Sequence, residues 1–208
     1  MPHLIDRIRT WLGRPKPYGR RHFRQREALR ADYRLLARSL LRHLDFGAVL
    51  DVGCANAFLL EVFRDAGREV AGIEASPAIR SVLAPELCGV VRIGDFREAL
   101  DLVRAGGPGA WDLVACVEVA EHIEPDRSEE LVETLVSVAG RWIYFTAAPP
   151  GQTGHGHINC RPHGEWLAWF EARGWAPAPP ETDAVRRDLS HLGRAVWLRG
   201  NSFVLQRG

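Results

Sequence analysis

Apolar residues from about Arg21 to His43 recur at helical spacing, which predicts a leading amphipathic helix. Five short apolar runs then predict strands, and each of the first four is followed by a helical pattern. The predicted strands contain AVLDV (48–52), REVAGIEAS (68–76), CGVVRIGDF (88–96), WDLVACVEVA (111–120) and RWIYFTA (141–147). The predicted helices contain AFLLEVFRDAG, PAIRSVLA, FREALDLVRAGG and DRSEELVETLVSVAG. This alternation indicates right-handed crossovers and a parallel sheet covered on both faces, which is a doubly wound α/β fold.

The C-terminal third departs from this alternation. It contains a Gly-, His- and Pro-rich loop (148–164), an amphipathic helical pattern in EWLAWFEARG, a Pro-rich stretch APAPPET and a last strand in NSFVLQR. The sequence shows no internal repeat and no interdomain linker. We therefore predict a basic N-terminal arm over residues 1–20 and a single domain over residues 21–208.

Composition narrows the class of protein. The chain has 208 residues with ordinary apolar, charged, Gly and Pro contents, which is typical of one globular domain. No apolar run approaches the roughly 20 residues needed to cross a bilayer, so we expect no membrane insertion and a cytoplasmic location. The four cysteines form no C-x-x-C pair, which favours free thiols over disulfides or a zinc site. The oligomeric state stays open.

The net charge of +1 hides a basic start to the chain. The first 30 residues hold nine arginines and lysines against Asp6 and Glu27. Such an arm can contact phosphate, an anionic substrate or a membrane surface, although a solvated terminus has the same composition. Nucleic-acid recognition calls for basic patches interleaved with exposed aromatic residues, and this arm alone offers a weak form of that pattern.

Acidic and small residues follow three successive predicted strands. Gly53 and the small residues after it would let the main chain turn tightly and approach a ligand closely. A G-x-G-x-x-G fingerprint is absent, which argues against a nicotinamide dinucleotide site. Glu74 ends the second strand, where an acid can accept both hydroxyls of a ribose. Asp95 and Phe96 follow the third strand, where they could bind the amino group of an adenine and pack against its ring.

Four stretches resemble the class I S-adenosylmethionine-dependent methyltransferases, and together they span about residues 45–145. They are VLDVGCANAFLL, the strand-end acid in GIEAS, IGDF and WDLVACVEVAEHIEP. The resemblance implies S-adenosylmethionine as cofactor and a Rossmann-like fold, with a mostly parallel seven-stranded sheet and a reversed last strand that NSFVLQR would supply. It also implies that the leading helix caps the site.

The resemblance assigns a part of the cofactor to each strand end. The first loop would wrap the methionine part, the second acid would hold the ribose, the third loop would bind the adenine, and the end of strand four would line the cleft near the sulfonium. The cofactor-binding positions implied in this way are Asp51, Gly53, Cys54, Ala55, Glu74, Ala75, Asp95, Phe96, Cys116 and Glu118.

The first loop departs from the family pattern, which is closer to D-x-G-C-G-x-G. Ala55 and Ala57 stand where two of the glycines are usual. Alanine fits easily where φ is negative, but at positive φ it strains the loop by about 1 kcal/mol or more. We expect a tighter variant of the site.

Candidate acceptor-side residues follow strands four and five. EVAEHIEP contains Glu118, Glu121 and His122, and the long loop contains His155, His157, Asn159 and His163. The E-x-x-E-H pattern resembles the magnesium-binding set of small-RNA terminal 2′-O-methyltransferases and of some ubiquinone-pathway O-methyltransferases. That resemblance implies a divalent metal such as Mg²⁺ held by Glu118, Glu121, His122 and one of His155 or His157, which would lower the pKa of an acceptor hydroxyl.

A second resemblance competes with the first. PGQTGHGHINCRPHGEW is similar to a loop of bacterial small-molecule and sugar methyltransferases, in which His157 would be a general base and Asn159 an acceptor ligand. The catalytic candidates are therefore His157, Glu118, His122 and Asn159. The leading hypothesis is O-methylation of a small molecule or sugar-containing metabolite. The alternatives are a metal-assisted RNA 2′-O-methyltransferase and a catalytically silent cofactor-binding scaffold.

Overall fold

A seven-stranded sheet organises the computed structural model, which describes residues 18–106 and 111–208, without the side chains of 103–106. The strands are β1 (Ala48–Val52), β2 (Glu69–Glu74), β3 (Val91–Ile93), β4 (Trp111–Val117), β5 (Ala139–Thr146), β6 (Trp175–Pro177) and β7 (Phe203–Arg207). Their order is β3-β2-β1-β4-β5-β7-β6, and β7 runs antiparallel to both neighbours while the other pairs are parallel. The predicted doubly wound fold with a reversed last strand is confirmed. The predicted basic arm lies almost entirely outside the described residues.

Helices cover both faces of this sheet. They are α1 (Arg20–Arg26), α2 (Arg30–His43), α3 (Phe58–Asp65), α4 (Glu98–Gly106), α5 (Ser128–Val138), α6 (His163–Glu171), α7 (Pro179–Asp188) and α8 (Trp197–Asn201). One buried apolar cluster lies between the sheet and α1, α2, α3 and α7, and a second lies between the sheet and α4, α5 and α6. Trp166 and Phe170, which belong to the amphipathic pattern EWLAWFEARG, are buried in the second cluster. Within the described part of the chain, no helix has both the length and the apolarity to cross a bilayer.

The leading helix is interrupted, in contrast to the single helix that the apolar spacing predicts. A 3-10 turn over Glu27–Leu29 separates α1 from α2. The two segments have different partners, since α1 contacts the 3-10 turn after β2, whereas α2 packs on α3 and α7. A tighter turn at the junction lets one amphipathic stretch serve both surfaces.

The Pro-rich stretch APAPPET joins β6 to α7 and contributes residues to both. Pro177 ends β6, which is an edge strand, and Pro179 and Pro180 begin α7. Proline is accepted at both places because an edge strand and the first helical turn each leave N–H groups without a partner in the ladder or helix. Helix α8 is absent from the sequence prediction, because five residues are too few for a periodic pattern.

Candidate active site

A cavity of about 590 Å³ opens at the carboxyl ends of the parallel strands. Its walls are the loops after β1 to β5, together with α1, one tyrosine of α2 and one tryptophan of α8. In doubly wound sheets this edge is where ligands bind, because the loops there diverge to either side of the sheet. The volume lies in the range of small-molecule sites.

The loop after β1 requires glycine at its first position. Gly53 has φ +79°, and a Cβ added there would lie 2.3 Å from a methyl carbon of Val119. The Gly53 and Cys54 N–H groups donate to the Ile73 carbonyl at 2.8 and 2.9 Å. The loop is therefore tied to β2, and its backbone faces the cavity with no side chain at Gly53.

The two alanines of this loop adopt conformations that favour glycine. Ala55 has φ 45° and Ala57 has φ 58°, and both values lie in the left-handed region. The sequence leaves open whether φ at these alanines is negative or positive, and both angles are positive. The backbone strain costs about 1 kcal/mol or more for each alanine. Ala57 is the N-cap of α3 and is fully buried. The backbone of the loop therefore has the conformation usual for a glycine-rich loop, although alanines stand at two of the glycine positions.

Glu74 links the first two loops. Its Oε1 accepts from the Ser76 N–H at 2.8 Å and its Oε2 from the Ala55 N–H at 3.1 Å. Burial raises the pKa of this carboxyl, and the two N–H donors oppose that shift. Each oxygen retains lone pairs, so the cavity-lining carboxylate fits the predicted role of accepting two ribose hydroxyls. Ala75 lines the same wall.

Asp51 lies beneath the loop, with 2% of its surface exposed. Burial, followed by the charge of Glu74, raises the pKa of Asp51 to about 7. The carboxyl is not part of the cavity wall.

Asp95 lines the cavity at the end of β3, but arginines already hold its carboxylate. Arg127 donates from Nη1 and Nη2 at 3.0 Å each, and Arg97 donates from Nε at 2.9 Å. Burial alone would raise the pKa of Asp95, but the hydrogen bonds from the two arginines outweigh burial and lower this pKa to about 2. Phe96 is buried outside the cavity wall, and the Arg127 guanidinium carbon lies 4.5 Å from its ring centroid. Arg127 thus covers a face of the Phe96 ring, which was predicted to pack against the adenine.

The cysteines predicted at the cofactor site lie behind its wall. Cys116 is fully buried in the core, and the next residue, Val117, lines the cavity instead. Alternate residues of a strand face opposite sides of the sheet, so Cys116 lies on the core side, whereas Val117 and Glu118 of the same predicted strand end line the cavity. Burial raises the pKa of the Cys54 and Cys116 thiols well above the usual range. All four cysteines are free, as predicted.

Glu118 stands at the acceptor end of the cavity in a strained backbone conformation. It has φ 54°, and its N–H donates to Thr146 Oγ1 at 2.9 Å. The Asn201 side-chain amide donates to Oε1 at 3.0 Å, and the Gln152 amide donates to Oε2 at 3.3 Å. Asn201 also donates to Gln152 Oε1 at 3.1 Å, which closes a ring of three side chains. Left-handed non-glycine residues held in this way are concentrated at functional sites.

Glu121 contrasts with Glu118. It is 0% exposed, and neither of its carboxylate oxygens has a hydrogen-bond partner. Burial, followed by repulsion from Glu118, raises the pKa of Glu121 well above its usual range. A carboxyl group in such a place is stabilised either by protonation or by a bound cation.

Two imidazoles flank Glu121. His157 Nε2 lies 3.9 Å from Glu121 Oε1, and His157 Nδ1 lies 3.1 Å from the Gln152 carbonyl. His122 Nδ1 lies 3.0 Å from the Gly156 carbonyl and 2.9 Å from Tyr18 Oη. Because carbonyl oxygens only accept, both rings donate from Nδ1 and keep the Nε2 lone pair. Burial lowers the pKa of His122 to about 4, so it is neutral near pH 7.

Glu121, His122 and His157 form a group whose ligand atoms lie within 4.8 Å of one another. Of the two histidines that the sequence analysis leaves open, His157 joins this group. Glu118 is not a member and is held by the two amides. His155 lines the cavity and accepts from Tyr18 through its carbonyl.

Asn159 and His163 support the loop and do not line the cavity. Asn159 is buried, its amide donates to the Ala120 carbonyl and to Ser128 Oγ, and its oxygen accepts from Arg161. His163 Nε2 lies 2.9 Å from the Ala147 carbonyl. The position of Asn159 therefore corrects its prediction as an acceptor ligand, because its polar atoms are used to hold the loop against the core.

Several cavity residues are missing from the sequence analysis. They are Tyr18, His22, Arg26, Tyr33, Gln152 and Trp197, with Asn201 behind them. Arg26 and Tyr33 lie seven residues apart in the sequence, which is a helical spacing and thus a signal, although a core stripe has the same spacing. Asn201 lies next to the last strand and carries no signal at all.

A family model described as a methyltransferase domain matches residues 20–148, which is more than half of the chain. The chain belongs to the class I S-adenosylmethionine-dependent methyltransferases. The match covers the cofactor loops and the E-x-x-E-H turn, and it ends before the long loop and α8. The acceptor end of this methyltransferase is therefore built partly by residues beyond the matched segment.

Known proteins with sequence similarity share about half of the chain. The ubiquinone biosynthesis O-methyltransferase of Paraburkholderia xenovorans (strain LB400) is 33% identical over 106 residues, which are 50% of this chain and 45% of that protein. The corresponding enzyme of Bordetella parapertussis is 33% identical over 102 residues, covering 47% and 41%. The chain thus spans less than half the length of these curated relatives.

Solved structures share the fold at low identity. A SAM-dependent methyltransferase from Archaeoglobus fulgidus has a TM-score of 0.61 at 16% identity, covering 89% of this chain and 99% of that chain. The magnesium protoporphyrin IX methyltransferase from Synechocystis PCC 6803, solved with bound SAH (S-adenosylhomocysteine), has a TM-score of 0.59 at 16% identity, covering 88% and 85%. These likenesses establish the Rossmann-like methyltransferase fold.

Proposed function

We propose that the chain transfers the methyl group of S-adenosylmethionine to a hydroxyl oxygen of a small molecule or sugar-containing metabolite. One observation carries the proposal: a single cavity is lined by the cofactor-loop residues Gly53 and Glu74 and by the acid and base candidates Glu118, Glu121 and His157. The curated relatives are named as O-methyltransferases, which supports oxygen as the acceptor atom.

The residues of the first two loops fit the cofactor. Gly53 leaves open space that any side chain would fill, and Glu74 offers two oxygens at the position of a ribose. The carboxylates around the cavity favour a ligand that carries positive charge, as the sulfonium and ammonium groups of S-adenosylmethionine do. The neutral sulfide left after transfer loses part of that attraction, which favours its release.

The acceptor end can remove a proton. His157 keeps its Nε2 lone pair toward the cavity, and Glu121 lies 3.9 Å away to stabilise the imidazolium that forms. In the proposed step the hydroxyl proton passes to His157 Nε2, the oxygen bonds to the methyl carbon, and the carbon–sulfur bond breaks toward sulfur. Glu118, fixed by Asn201 and Gln152, accepts a hydrogen bond that orients the acceptor.

A metal-assisted version is favoured by a separate observation, the two Glu121 oxygens that have no hydrogen-bond donor. Glu121, His122 and His157 together offer one carboxylate and two imidazoles, a donor set that suits Mn²⁺, Fe²⁺ or Zn²⁺ better than Mg²⁺. When bound, such an ion would lower the pKa of an acceptor hydroxyl. In this version His157 is a ligand, so the proton would pass to another base or to solvent.

The cavity gives little support to the two remaining alternatives, an RNA 2′-O-methyltransferase and a catalytically silent scaffold. An RNA acceptor calls for a basic surface, yet Arg26 is the one arginine or lysine among the described lining residues. A silent scaffold was suggested by the missing glycines, but Ala55 and Ala57 hold glycine-like backbone conformations. We therefore propose a small acceptor and an active site.

Transfer of labelled methyl from S-adenosylmethionine tests the proposal. The assay uses hydroxylated aromatics, sugars and short RNAs as acceptors, each with Mn²⁺ and with a chelator. We expect O-methylated small-molecule products that depend on Glu118 and are unchanged in Asp126→Asn, an exposed control in the same segment. Activity that survives chelation assigns His157 as the base, and activity that needs the ion assigns the metal version. A protein that binds the cofactor but methylates none of these hydroxyls would overturn the proposal.

A further inference from the structure

Arg26 is the one permanent cation among the described residues that line the cavity. The same walls carry the carboxyl groups of Glu74, Asp95, Glu118 and Glu121. The cavity thus combines a mainly acidic lining with a single guanidinium.

This guanidinium has no carboxylate partner within the described residues. Arg26 Nη2 donates to Tyr33 Oη at 2.9 Å, its central carbon lies 5.2 Å from the Tyr33 ring centroid, and its buried Nε has no acceptor. Two other partly buried arginines, by contrast, are paired with carboxylates. Arg127 contacts Asp95 at 3.0 Å, and Arg173 contacts Glu133 at 2.6 Å. A guanidinium removed from water with one neutral hydrogen bond is a costly arrangement unless a ligand supplies the anion.

The position of Arg26 is fixed relative to the cofactor loops. The Asn56 amide donates to the Phe23 carbonyl at 2.9 Å, which ties α1 to the loop after β1. Ser76 Oγ donates to the Tyr18 carbonyl, which ties the start of α1 to the loop after β2. Arg26 follows Phe23 by three residues and so lies on the adjacent helix turn, above the same loops.

We propose that Arg26 binds the carboxylate of the amino-acid end of S-adenosylmethionine. The cofactor carries two positive groups and one carboxylate, and the cavity presents several carboxylates and one guanidinium. A planar guanidinium can hold a carboxylate by two hydrogen bonds, a geometry that a lysine does not offer. Tyr33 keeps the guanidinium in place before the ligand arrives. The inference rests on the proposed function, since it assumes this cofactor.

Calorimetry with two ligands and three proteins tests this assignment. The ligands are S-adenosylhomocysteine and S-adenosyl-3-thiopropylamine, which is the same molecule without its carboxylate. The proteins are the wild type, Arg26→Gln and Arg24→Gln, the last a control at an exposed position of the same helix. The wild type and the control should bind S-adenosylhomocysteine about 10- to 100-fold more tightly than the decarboxylated ligand. Arg26→Gln should bind the two ligands with affinities within about twofold of each other.

Each outcome bears on the assignment. Equal affinity of the wild type for the two ligands would overturn it without any variant, even if Arg26→Gln failed to fold. A preference for the carboxylate that persists in Arg26→Gln would also overturn it. Binding of neither ligand by the wild type would instead count against the proposed function itself, so the two failures are distinguishable.

Discussion

The two ends of the cavity are built in different ways. Apart from Arg26, the cofactor end comes from one stretch, residues 51–96, in which three strand ends follow each other along the chain and backbone N–H groups fix the key acid. The acceptor end brings together the turn after β4, the loop after β5 and α8 from the C-terminus. Its polar groups are held by side chains that lie far apart in sequence.

The two glutamates of the acceptor end sharpen this contrast. Two amide groups hold Glu118 in place, whereas Glu121 is buried without a single donor. Amide donors therefore hold the Glu118 carboxylate, whereas burial without a donor favours a proton or a metal ion at Glu121. The turn after β4 therefore places two glutamates three residues apart in different surroundings, one with amide donors and one without.

The largest effect is expected at the cofactor end. Glu74→Ala removes the acceptor of the Ala55 and Ser76 N–H groups together with the proposed ribose ligand. We expect S-adenosylhomocysteine to bind at least about 100-fold more weakly, which corresponds to about 3 kcal/mol. Calorimetry checks this, with Glu69→Ala at the exposed start of the same strand as control. A loss below about fivefold would separate Glu74 from the cofactor.

The next effect belongs to the acceptor end. Glu121→Gln replaces a buried carboxylate that has no donor by a neutral group of equal size. We expect the metal-free protein to become more stable by about 1–3 kcal/mol at pH 8, measured by urea unfolding, because the carboxylate no longer has to be ionised or protonated there.

The same variant should lose stabilisation by Mn²⁺, whereas Asp126→Asn should keep it. An unchanged response to Mn²⁺ in Glu121→Gln would remove Glu121 from the metal set. Destabilisation of the metal-free protein would show that the carboxylate has a partner that stabilises it.

A pH dependence follows from Asp51, whose pKa is raised to about 7 in the folded chain. Since the raised value exceeds that of the unfolded chain, the folded state holds an extra proton between about pH 4 and pH 7, and stability falls as pH rises through this window. A cation bound in the cavity favours the ionised form, so S-adenosylmethionine should bind more tightly as pH rises from 6 to 7.5, by about three- to tenfold. Calorimetry in two buffers should detect proton release. Asp51→Asn should abolish that release, and release that persists in this variant would contradict the assignment.

The smallest effects concern the alanines of the first loop. Ala55→Gly should stabilise the chain by about 0.5–1 kcal/mol, because it relieves the left-handed backbone. Ala57→Gly should give less, because the Ala57 methyl is fully buried in the core and its packing is lost. Urea unfolding of both variants checks the order, and an equal destabilisation of the two would show that the positive φ angles carry no strain.

The same contrast explains what could be predicted from the sequence. The parallel part of the sheet and the positions of Gly53, Glu74 and Asp95 follow from patterns within single βα units, whereas the reversed last strand was implied by the family resemblance. The side of the sheet on which a strand residue lies depends on its register, so the sequence did not separate Cys116, which lies in the core, from Val117, which lines the cavity. The pairing of Glu118 with Asn201 depends on how α8 packs, and no local pattern contains that information.

The most direct test of the account is a titration of the wild-type chain with S-adenosylhomocysteine, followed by amide NMR. We expect saturable one-to-one chemical-shift changes at the amides of Gly53, Ala55 and Ser76, which lie at the cofactor end. Gly164 and Gly174, in and after α6, should not shift. Absence of any shift at the three cofactor-end amides, or shifts confined to other parts of the chain, would contradict the central claim that this cavity binds the methyl donor.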